Sequence, residues 1–305
     1  MTKLNLTLID TGFDGVFSEV SHSEKLESLN PCQLRLFQLN VKNNEFSYNA
    51  LTKFLLRNIG QYIFSRERIQ GFATDEEIML IGLKAVKLLT ERTKGDPTWL
   101  GDELGGLLLY TFLEGVLKAP KLFNRYDTPK DDLLTGGIEG VHLFQPDTDS
   151  PSFQMVYGKS RIVGDIRDAI DDAFLSIEET KKDTSLEMRF VEPTVLDRSF
   201  SLETATYLRD IILPSKTSAA RCDSAFGVFI GYTLGLDRDK YSSVQFLDAL
   251  ERKMRIDIQN HVSYIQEKIK ISKMDRYPFY FYFLPLNDAD NEKFKIMETL
   301  IGGGL

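Results

Sequence analysis

Two apolar runs decide the fold of this chain: Gly136-Gly-Ile-Glu-Gly-Val-His-Leu-Phe144 and Phe153-Gln-Met-Val-Tyr-Gly-Lys-Ser-Arg-Ile162. Both runs have the length and the apolar content that are typical of strands. The residues between them, 145–151, are rich in proline, aspartate and serine, which favour turns. The pattern therefore predicts a β-hairpin near the middle of the chain.

The predicted hairpin brings charged side chains together. Side chains two residues apart on a strand share a face, so Lys159 and Arg161 are expected to project on the same side. If the turn is centred near Asp149, Glu139 lies directly opposite Lys159 as a cross-strand neighbour. Taken alone, this pair is interpreted as an ordinary cross-strand ion pair, which stabilises a sheet only weakly when it is exposed.

Helical and strand-like patterns alternate on both sides of the hairpin. Apolar residues at helical spacing, such as Leu51, Phe54 and Leu55, indicate helices, whereas short apolar runs indicate buried strands. The expected strands are 34–41, 186–192, 225–234 and 279–284, and the expected helices are 47–69, 74–89, 102–117, 165–178, 242–271 and 289–300. This alternation predicts an α/β fold with a mixed central sheet flanked by helices.

The chain length of 305 residues allows one large domain or two smaller ones. A break at Gly95-Asp96-Pro97 indicates where a division would fall. We expect an N-terminal strand-and-helix subdomain over residues 1–95 and a main α/β core over residues 96–305.

The composition excludes several classes of protein. A hydrophobic fraction of 42% is enough for a sizeable core, which excludes disorder as the dominant state. No apolar run approaches the roughly 20 residues of a membrane span, and the N-terminus lacks a signal-peptide pattern, so we expect a cytoplasmic protein. The two cysteines, Cys32 and Cys222, provide no disulfide framework. A net charge of −8 disfavours nonspecific phosphate binding by the surface as a whole.

An acidic residue on the helix before the hairpin completes the candidate site. Glu103 lies near the start of that predicted helix, where the helix dipole also favours an acid. Glu114 lies on the same helix face but roughly 16 Å further along, so the two carboxylates cannot reach one site. The candidate site residues are therefore Glu103, Glu139, Lys159 and Arg161.

This order, an acid on a helix, an acid on a strand and a charged pair on the next strand, resembles the PD-(D/E)xK nuclease core. More closely, the chain resembles the HamA family, the nuclease-type subunit of the Hachiman anti-phage defence system. The resemblance covers most of the chain and rests on short motifs in a shared order: Gly101-Asp-Glu-Leu-Gly105, Leu107-Leu-Leu-Tyr-Thr-Phe-Leu-Glu114, Ala119-Pro-Lys-Leu-Phe123, Glu139-Gly-Val-His-Leu143, Tyr157-Gly-Lys-Ser-Arg-Ile162, Gly164-Asp-Ile-Arg-Asp-Ala-Ile170, Phe226-Gly-Val-Phe-Ile-Gly-Tyr232 and Phe283-Leu-Pro-Leu286.

The resemblance implies a PD-(D/E)xK restriction-endonuclease-like core that acts on DNA together with a superfamily 2-type helicase. In an active member, Mg²⁺ would assist hydrolysis of the phosphodiester. Glu103 and Glu139 would then be the metal ligands, and Lys159 or Arg161 would lie near the scissile phosphate. ATP use would belong to the helicase partner.

Three residues depart from the family pattern. Glu139 replaces the usual aspartate, which lengthens the side chain by one methylene. The family's Gly-Glu-Ser-Lys run is Gly158-Lys-Ser-Arg161 here, so Lys159 replaces a metal-binding glutamate and Arg161 replaces the lysine. An ammonium in place of a ligand carboxylate repels a metal cation. Two hypotheses stay open: a metal-dependent endodeoxyribonuclease, or a catalytically degenerate subunit that binds DNA or regulates the helicase without cleaving.

Other notable residues have structural interpretations. His142 lies on the strand face opposite Glu139 and is interpreted as a structural histidine whose hydrogen bonds are satisfied. The aromatic run 279–283 is interpreted as a core strand rather than a platform on which bases stack. The basic residues of the first predicted helix are interpreted as a solvated helix face: Lys53, Arg57, Arg66 and Arg68.

Overall fold

The computed structural model describes residues 4–9, 12–28, 30, 32–71, 75–93, 97–126, 137–147, 152–182, 196–197, 199–213 and 221–302. The strands within these residues are β1 (Phe17–Val20), β2 (Cys32–Leu39), β3 (Val41–Lys42), β4 (Glu45–Phe46), β5 (Lys121–Asn124), β6 (Gly140–Phe144), β7 (Ser152–Ile162), β8 (Arg221–Thr233) and β9 (Phe279–Leu286). The helices are α1 (Tyr48–Ile63), α2 (Arg66–Gln70), α3 (Asp75–Thr93), α4 (Pro97–Gly115), α5 (Ile166–Lys182), α6 (Leu202–Ile212), α7 (Ser243–Ile271) and α8 (Ala289–Ile301).

Seven of the described strands form one sheet in the order β1-β2-β9-β8-β7-β6-β5. The central strands β2, β9, β8 and β7 are parallel, whereas β1, β6 and β5 pair antiparallel at the two ends. Parallel neighbours need long crossover connections, and α5 and α7 lie within the connections that join β7 to β8 and β8 to β9. The prediction of a mixed α/β sheet flanked by helices is confirmed.

The hairpin register is the predicted one. Gly140 of β6 pairs with Gly158 of β7, and the antiparallel pairing continues from there along both strands. The backbone N–H of Glu139 donates to the carbonyl of Gly158 at 3.0 Å, which extends the pairing by one residue beyond β6. Glu139 is therefore placed opposite Lys159, as the spacing predicts.

Helix α4 lies on one face of the sheet, against β7 and β8. Two glycines permit this close approach, since a Cβ at Gly105 would lie 2.2 Å from Ser160 Oγ, and one at Gly158 would lie 2.8 Å from a leucine of α4. Because Gly158 and Ser160 face α4, strand alternation directs Lys159 and Arg161 towards the other face. Helix α5 also packs against β7 and β8.

Aromatic side chains of β9 and of α4 pack together in the core. Every residue of β9 is buried. Phe112 of α4 stacks on Tyr282 of β9 and on Phe229 of β8, with ring centroids 5.4 Å and 5.6 Å apart. The interpretation of 279–283 as a core strand is confirmed. Although α4 is strongly apolar, it falls short of spanning a membrane, and so does every other helix in the described ranges.

The segment predicted as one helix over 47–69 is two helices. Ser65 separates α1 from α2, and its side chain caps α2. The ammonium of Lys121, on β5, donates to the carbonyl oxygens of Gln61, Tyr62 and Phe64 at 2.6, 3.0 and 2.9 Å. Carbonyl groups at a helix end lack intrahelical partners. A residue distant in sequence therefore fixes where α1 ends, which the local pattern could not indicate.

Four elements were not predicted from the sequence: β1, the β3–β4 hairpin, β5 and α6. The three strand elements contain too few residues for alternation to be recognised. The strand predicted over 186–192 lies outside the described residues, and so do residues 94–96 at the predicted domain boundary. The division at residue 95 stays a prediction, while β1 and β2 belong to the same sheet as strands from the second half of the chain.

Candidate functional site

Three of the four predicted site residues lie together beside the start of β6. Glu103 belongs to α4, Glu139 directly precedes β6, and Lys159 lies on β7. Their exposed fractions are 1%, 2% and 4%, so all three ionisable side chains are withdrawn from water. Arg125, which directly follows β5, joins them. We call these four residues the ion-pair cluster.

Arg125 links the two carboxylates of the ion-pair cluster. Its Nη1 donates to Glu103 Oε1 at 3.0 Å, and its Nη2 lies 3.6 Å from Glu139 Oε1. The guanidinium also lies over the ring of Trp99, 5.8 Å from the ring centroid. Its side chain is 19% exposed, so it is the most accessible member of the cluster. Glu103 and Glu139 are therefore held together through a shared cation.

Lys159 approaches Glu139 from the other side. Its Nζ lies 3.7 Å from Glu139 Oε1 and donates to the carbonyl oxygen of Gly137 at 2.6 Å. Gly137 has a φ of +72°, and a Cβ there would lie 3.0 Å from the ammonium. A glycine at this position suits both the left-handed backbone and the close approach of the lysine.

Tyr62 of α1 closes the cluster beneath α4. Its hydroxyl lies 3.5 Å from Glu103 Oε2, and a Cβ at Gly106 would lie only 2.5 Å from that hydroxyl. One acceptor is left over: Glu139 Oε2 is buried and has no hydrogen-bond partner within the described part of the chain. Buried polar atoms are usually paired, so this oxygen is an unsatisfied acceptor within the cluster.

The electrostatics of the cluster follow from its burial. Burial raises the pKa of Glu103, and the positive charge of Arg125 opposes that rise. Burial lowers the pKa of Lys159, and the neighbouring Glu139 opposes that fall. Two carboxylates and two cations make the group neutral overall when all are ionised. Its charges are therefore compensated among its own members.

Arg161 is held outside the ion-pair cluster. Its Nη1 lies 3.6 Å from Asp102 Oδ1 on α4, and its Nε lies 3.6 Å from Asp172 Oδ2 on α5. The side chain is 26% exposed, so it lies at the rim between the two helix layers. It remains near enough to lower the pKa of Lys159. The structure thus brings Glu103, Glu139 and Lys159 together and places Arg161 beside them.

The residues present do not fit a bound Mg²⁺. Mg²⁺ requires near-octahedral oxygen ligation, whereas Arg125 and Lys159 already approach Glu139 Oε1. Across the described ranges, no group of three or more His, Cys, Asp or Glu side chains is placed to hold a metal ion. Asp165, the nearest acid after the hairpin in sequence, instead accepts from the backbone N–H groups of Arg167 and Asp168 at the start of α5.

Sequence reasoning missed Arg125 and Tyr62. Arg125 follows a four-residue strand that the sequence pattern did not reveal, and its role depends on which elements lie beside that strand. The available signal was a run of polar and aromatic residues, Asn124-Arg-Tyr126, directly after a buried stretch. Tyr62 has the spacing of an ordinary core residue of α1, so nothing local distinguishes it.

Glu114 forms a separate buried site, as predicted from its distance along α4. Its carboxylate is fully buried and accepts from Thr7 N at 2.6 Å, Leu8 N at 2.5 Å and Lys121 N at 2.6 Å. Arg66 Nη2 lies 3.8 Å from it, with only 13% of the arginine side chain exposed. The interpretation of Arg66 as part of a solvated helix face is therefore wrong, because this side chain turns inward to a carboxylate.

His142 is a structural histidine, as the strand alternation predicts. It is 2% exposed, and its Nδ1 lies 2.9 Å from the carbonyl oxygen of Ala119, which can only accept. Nδ1 therefore carries the proton in the neutral ring. Burial lowers the pKa of His142 to about 3, and the nearby charges of Lys121 and Arg66 add to that lowering.

We expect this buried histidine to cause an acid-dependent loss of stability. The ring has a pKa near 6.5 in the unfolded state and about 3 in the folded state, so between these pH values only the unfolded state is protonated. The free energy of unfolding therefore falls as pH drops below about 6.5. The slope should be about 1.4 kcal/mol per pH unit from this group alone. Urea unfolding of His142→Gln and wild type at several pH values measures it. Equal slopes between about pH 6 and pH 4 would contradict the assignment.

The comparisons with known proteins give one match. A family model described as HamA matches residues 14–300 of the chain. The matched range contains all four residues of the ion-pair cluster and also Arg161. Searches among curated proteins and among solved structures find no match.

Proposed function

Because the chain belongs to the HamA family of Hachiman anti-phage defence systems, we propose that it is the nuclease-fold subunit of such a system and that it acts without cleaving DNA. In this proposal the sheet around β6 and β7 corresponds to a PD-(D/E)xK core. The partner is a superfamily 2-type helicase, which supplies the use of ATP. The site of action is the cytoplasm.

The observation that carries the proposal is the closed ion-pair cluster. Glu103 and Glu139 would be the metal ligands of an active site, yet Arg125 links them and Lys159 neutralises Glu139 from the other side. A phosphodiester cannot approach carboxylates that are 1% and 2% exposed without opening this network. Leaving one charge of a buried ion pair without its partner costs several kcal/mol, so a phosphate that displaced Arg125 or Lys159 from these carboxylates would meet a large penalty.

The proposed role without cleavage is to bind DNA or to regulate the helicase. Both roles need a surface and a stable scaffold, and neither needs the buried carboxylates to reach a phosphate. The charge-balanced cluster serves such a scaffold, because it leaves little net charge buried beside the start of β6.

A nicking assay tests the proposal. Supercoiled plasmid is incubated with the chain and Mg²⁺ or Mn²⁺, with and without the helicase, and we expect no nicked or linear product. We also expect the chain to bind DNA in a gel-shift assay or to change the rate at which the helicase hydrolyses ATP. A metal-dependent nuclease of another family serves as the positive control for the plasmid and buffers.

Two results would contradict the proposal. One is metal-dependent cleavage by wild type, and its loss in Glu139→Gln would place the reaction at the cluster. The other is a chain that neither binds DNA nor alters the helicase in any condition. A matched variant, Asp248→Asn, changes one exposed carboxylate on α7 and should behave as wild type in every arm.

A metal-dependent endodeoxyribonuclease is the second candidate, and one observation favours it. Glu139 Oε2 is buried without a partner and could accept a further cation if the cluster rearranged. The double change Lys159→Glu with Arg161→Lys restores the family's charged pair and tests how near the site is to activity. Cleavage by this variant alone would mean that these two positions account for the lost chemistry.

A further inference from the structure

We infer that the guanidinium of Arg125 is a built-in cation that stands between Glu103 and Glu139 where a divalent metal ion would otherwise be needed. The inference rests on the proposed function only in treating the cluster as a former metal site. It adds a specific claim: the chain is stable without divalent metal because it supplies this cation itself.

The geometry supports a direct substitution of one cation for another. Arg125 reaches both carboxylates at once, with nitrogen–oxygen distances of 3.0 Å to Glu103 and 3.6 Å to Glu139. Two buried carboxylates with no cation between them would repel each other, and one would have to take up a proton. Arginine is suited to this position because its planar, permanently charged fork can bind two oxygens in fixed directions.

The unpartnered oxygen of Glu139 is independent support. Oε1 is approached by Arg125 and Lys159, whereas Oε2 has no partner among the described residues although Glu139 is 2% exposed. A guanidinium has donors in one plane and leaves some acceptor directions unused, whereas a metal ion with its waters can supply partners in several directions. Oε2 of Glu139 therefore remains an acceptor that neither Arg125 nor Lys159 contacts.

Removal of the internal cation should create a requirement for an external one. In Arg125→Ala, Lys159 still lies 3.7 Å from Glu139, but the two carboxylates leave the group with a net negative charge, and the space of the guanidinium becomes available to a hydrated ion. We expect millimolar Mn²⁺ to raise the unfolding temperature of this variant by roughly 2–4 °C relative to EDTA. Wild type should shift by less than about 1 °C under the same conditions. Differential scanning calorimetry on the full chain measures both.

Two further variants make the test specific. The double variant Arg125→Ala with Glu139→Gln lacks one of the two carboxylates and should lose the Mn²⁺ response. Arg125→Gln keeps more of the side-chain volume and replaces Arg125→Ala if that variant does not fold. If neither folds, the yield of refolded protein with and without Mn²⁺ takes the place of the unfolding temperature.

The inference is wrong if wild type shows a Mn²⁺ shift as large as that of Arg125→Ala, or if no Arg125 variant responds to the metal. Either result concerns the cation at this position and leaves the nicking assay unaffected. Conversely, cleavage by wild type in the nicking assay would overturn the proposed function whatever the Arg125 variants do.

Discussion

Replacement of Lys159 by glutamate is expected to lower the free energy of unfolding by about 3–5 kcal/mol at neutral pH, because it leaves like charges buried side by side. In the wild type, the ammonium lies 3.7 Å from Glu139 and donates to the carbonyl of Gly137 at 2.6 Å. The new carboxylate would face Glu139 and could not donate to Gly137 while ionised. Urea unfolding at neutral pH measures the loss.

The loss of stability in Lys159→Glu should grow as pH rises. Two adjacent buried carboxylates raise the pKa of at least one of them in the folded state above its unfolded value. Such a group binds more protons when folded, so the stability of the variant falls as pH rises above about 4.3 and recovers as pH drops. Millimolar Mn²⁺ should reduce the loss of stability as well, since three carboxylates with one guanidinium leave a buried negative charge that a cation can compensate.

Two comparison variants isolate the cause. Lys159→Met keeps an unbranched apolar stem and removes only the charge and the donor, while Arg125 remains 3.6 Å from Glu139, so the variant should lose about 1–3 kcal/mol. Lys53→Glu makes the same charge change on the exposed face of α1 and should stay within about 0.5 kcal/mol of wild type. If Lys159→Glu were no less stable than Lys159→Met, the cluster could not be the closed, low-dielectric network that its burial indicates.

Glu114→Ala is expected to cost a similar amount, about 3–5 kcal/mol, for a different reason. The lost carboxylate leaves three backbone N–H groups, those of Thr7, Leu8 and Lys121, without their acceptor. It also removes the carboxylate 3.8 Å from the inward-turned Arg66, which still donates to the carbonyl oxygen of Lys121 at 3.2 Å. Each unsatisfied buried donor costs about 1–3 kcal/mol, and the apolar wall of α4 offers no replacement.

The position of the damage can be measured as well as its size. Hydrogen exchange should show faster exchange at Thr7 and Leu8 in Glu114→Ala, because their amides lose a buried acceptor. Glu267→Ala, on the exposed face of α7, should change stability by less than about 0.5 kcal/mol. Unchanged exchange at the N-terminal segment would mean that Glu114 does not anchor it.

The hairpin was predictable from sequence because its rules are local. Side chains alternate with a period of two, and the position of the turn fixes the register, so Glu139 opposite Lys159 follows from counting. The same counting places His142 on the opposite face, where it is buried and bonded to Ala119. The dominant helices and parallel strands were found for a similar reason, since each carries a long apolar pattern.

The completion of the cluster was not predictable in this way. Arg125 follows a four-residue strand and reaches two elements that are distant in sequence, α4 and the start of β6. Arg161 shares a strand face with Lys159 as expected, but its longer side chain reaches Asp102 and Asp172 at the rim instead. The contacts of long charged side chains depend on tertiary neighbours, which neither period nor propensity specifies.

The parallel pairing of β2 with β9 has a consequence for synthesis of the chain. Leu36 lies beside Phe283 in the sheet, although almost 250 residues separate them along the chain. During translation, β2 is synthesised early, and the edge that pairs with β9 has no partner strand until β9 leaves the ribosome. Contacts of such long range form slowly, so an incomplete nascent chain is exposed to aggregation and to chaperones for most of its synthesis. A transcript that ends before β9 would yield a chain in which β1 and β2 have no strand to connect them to β8.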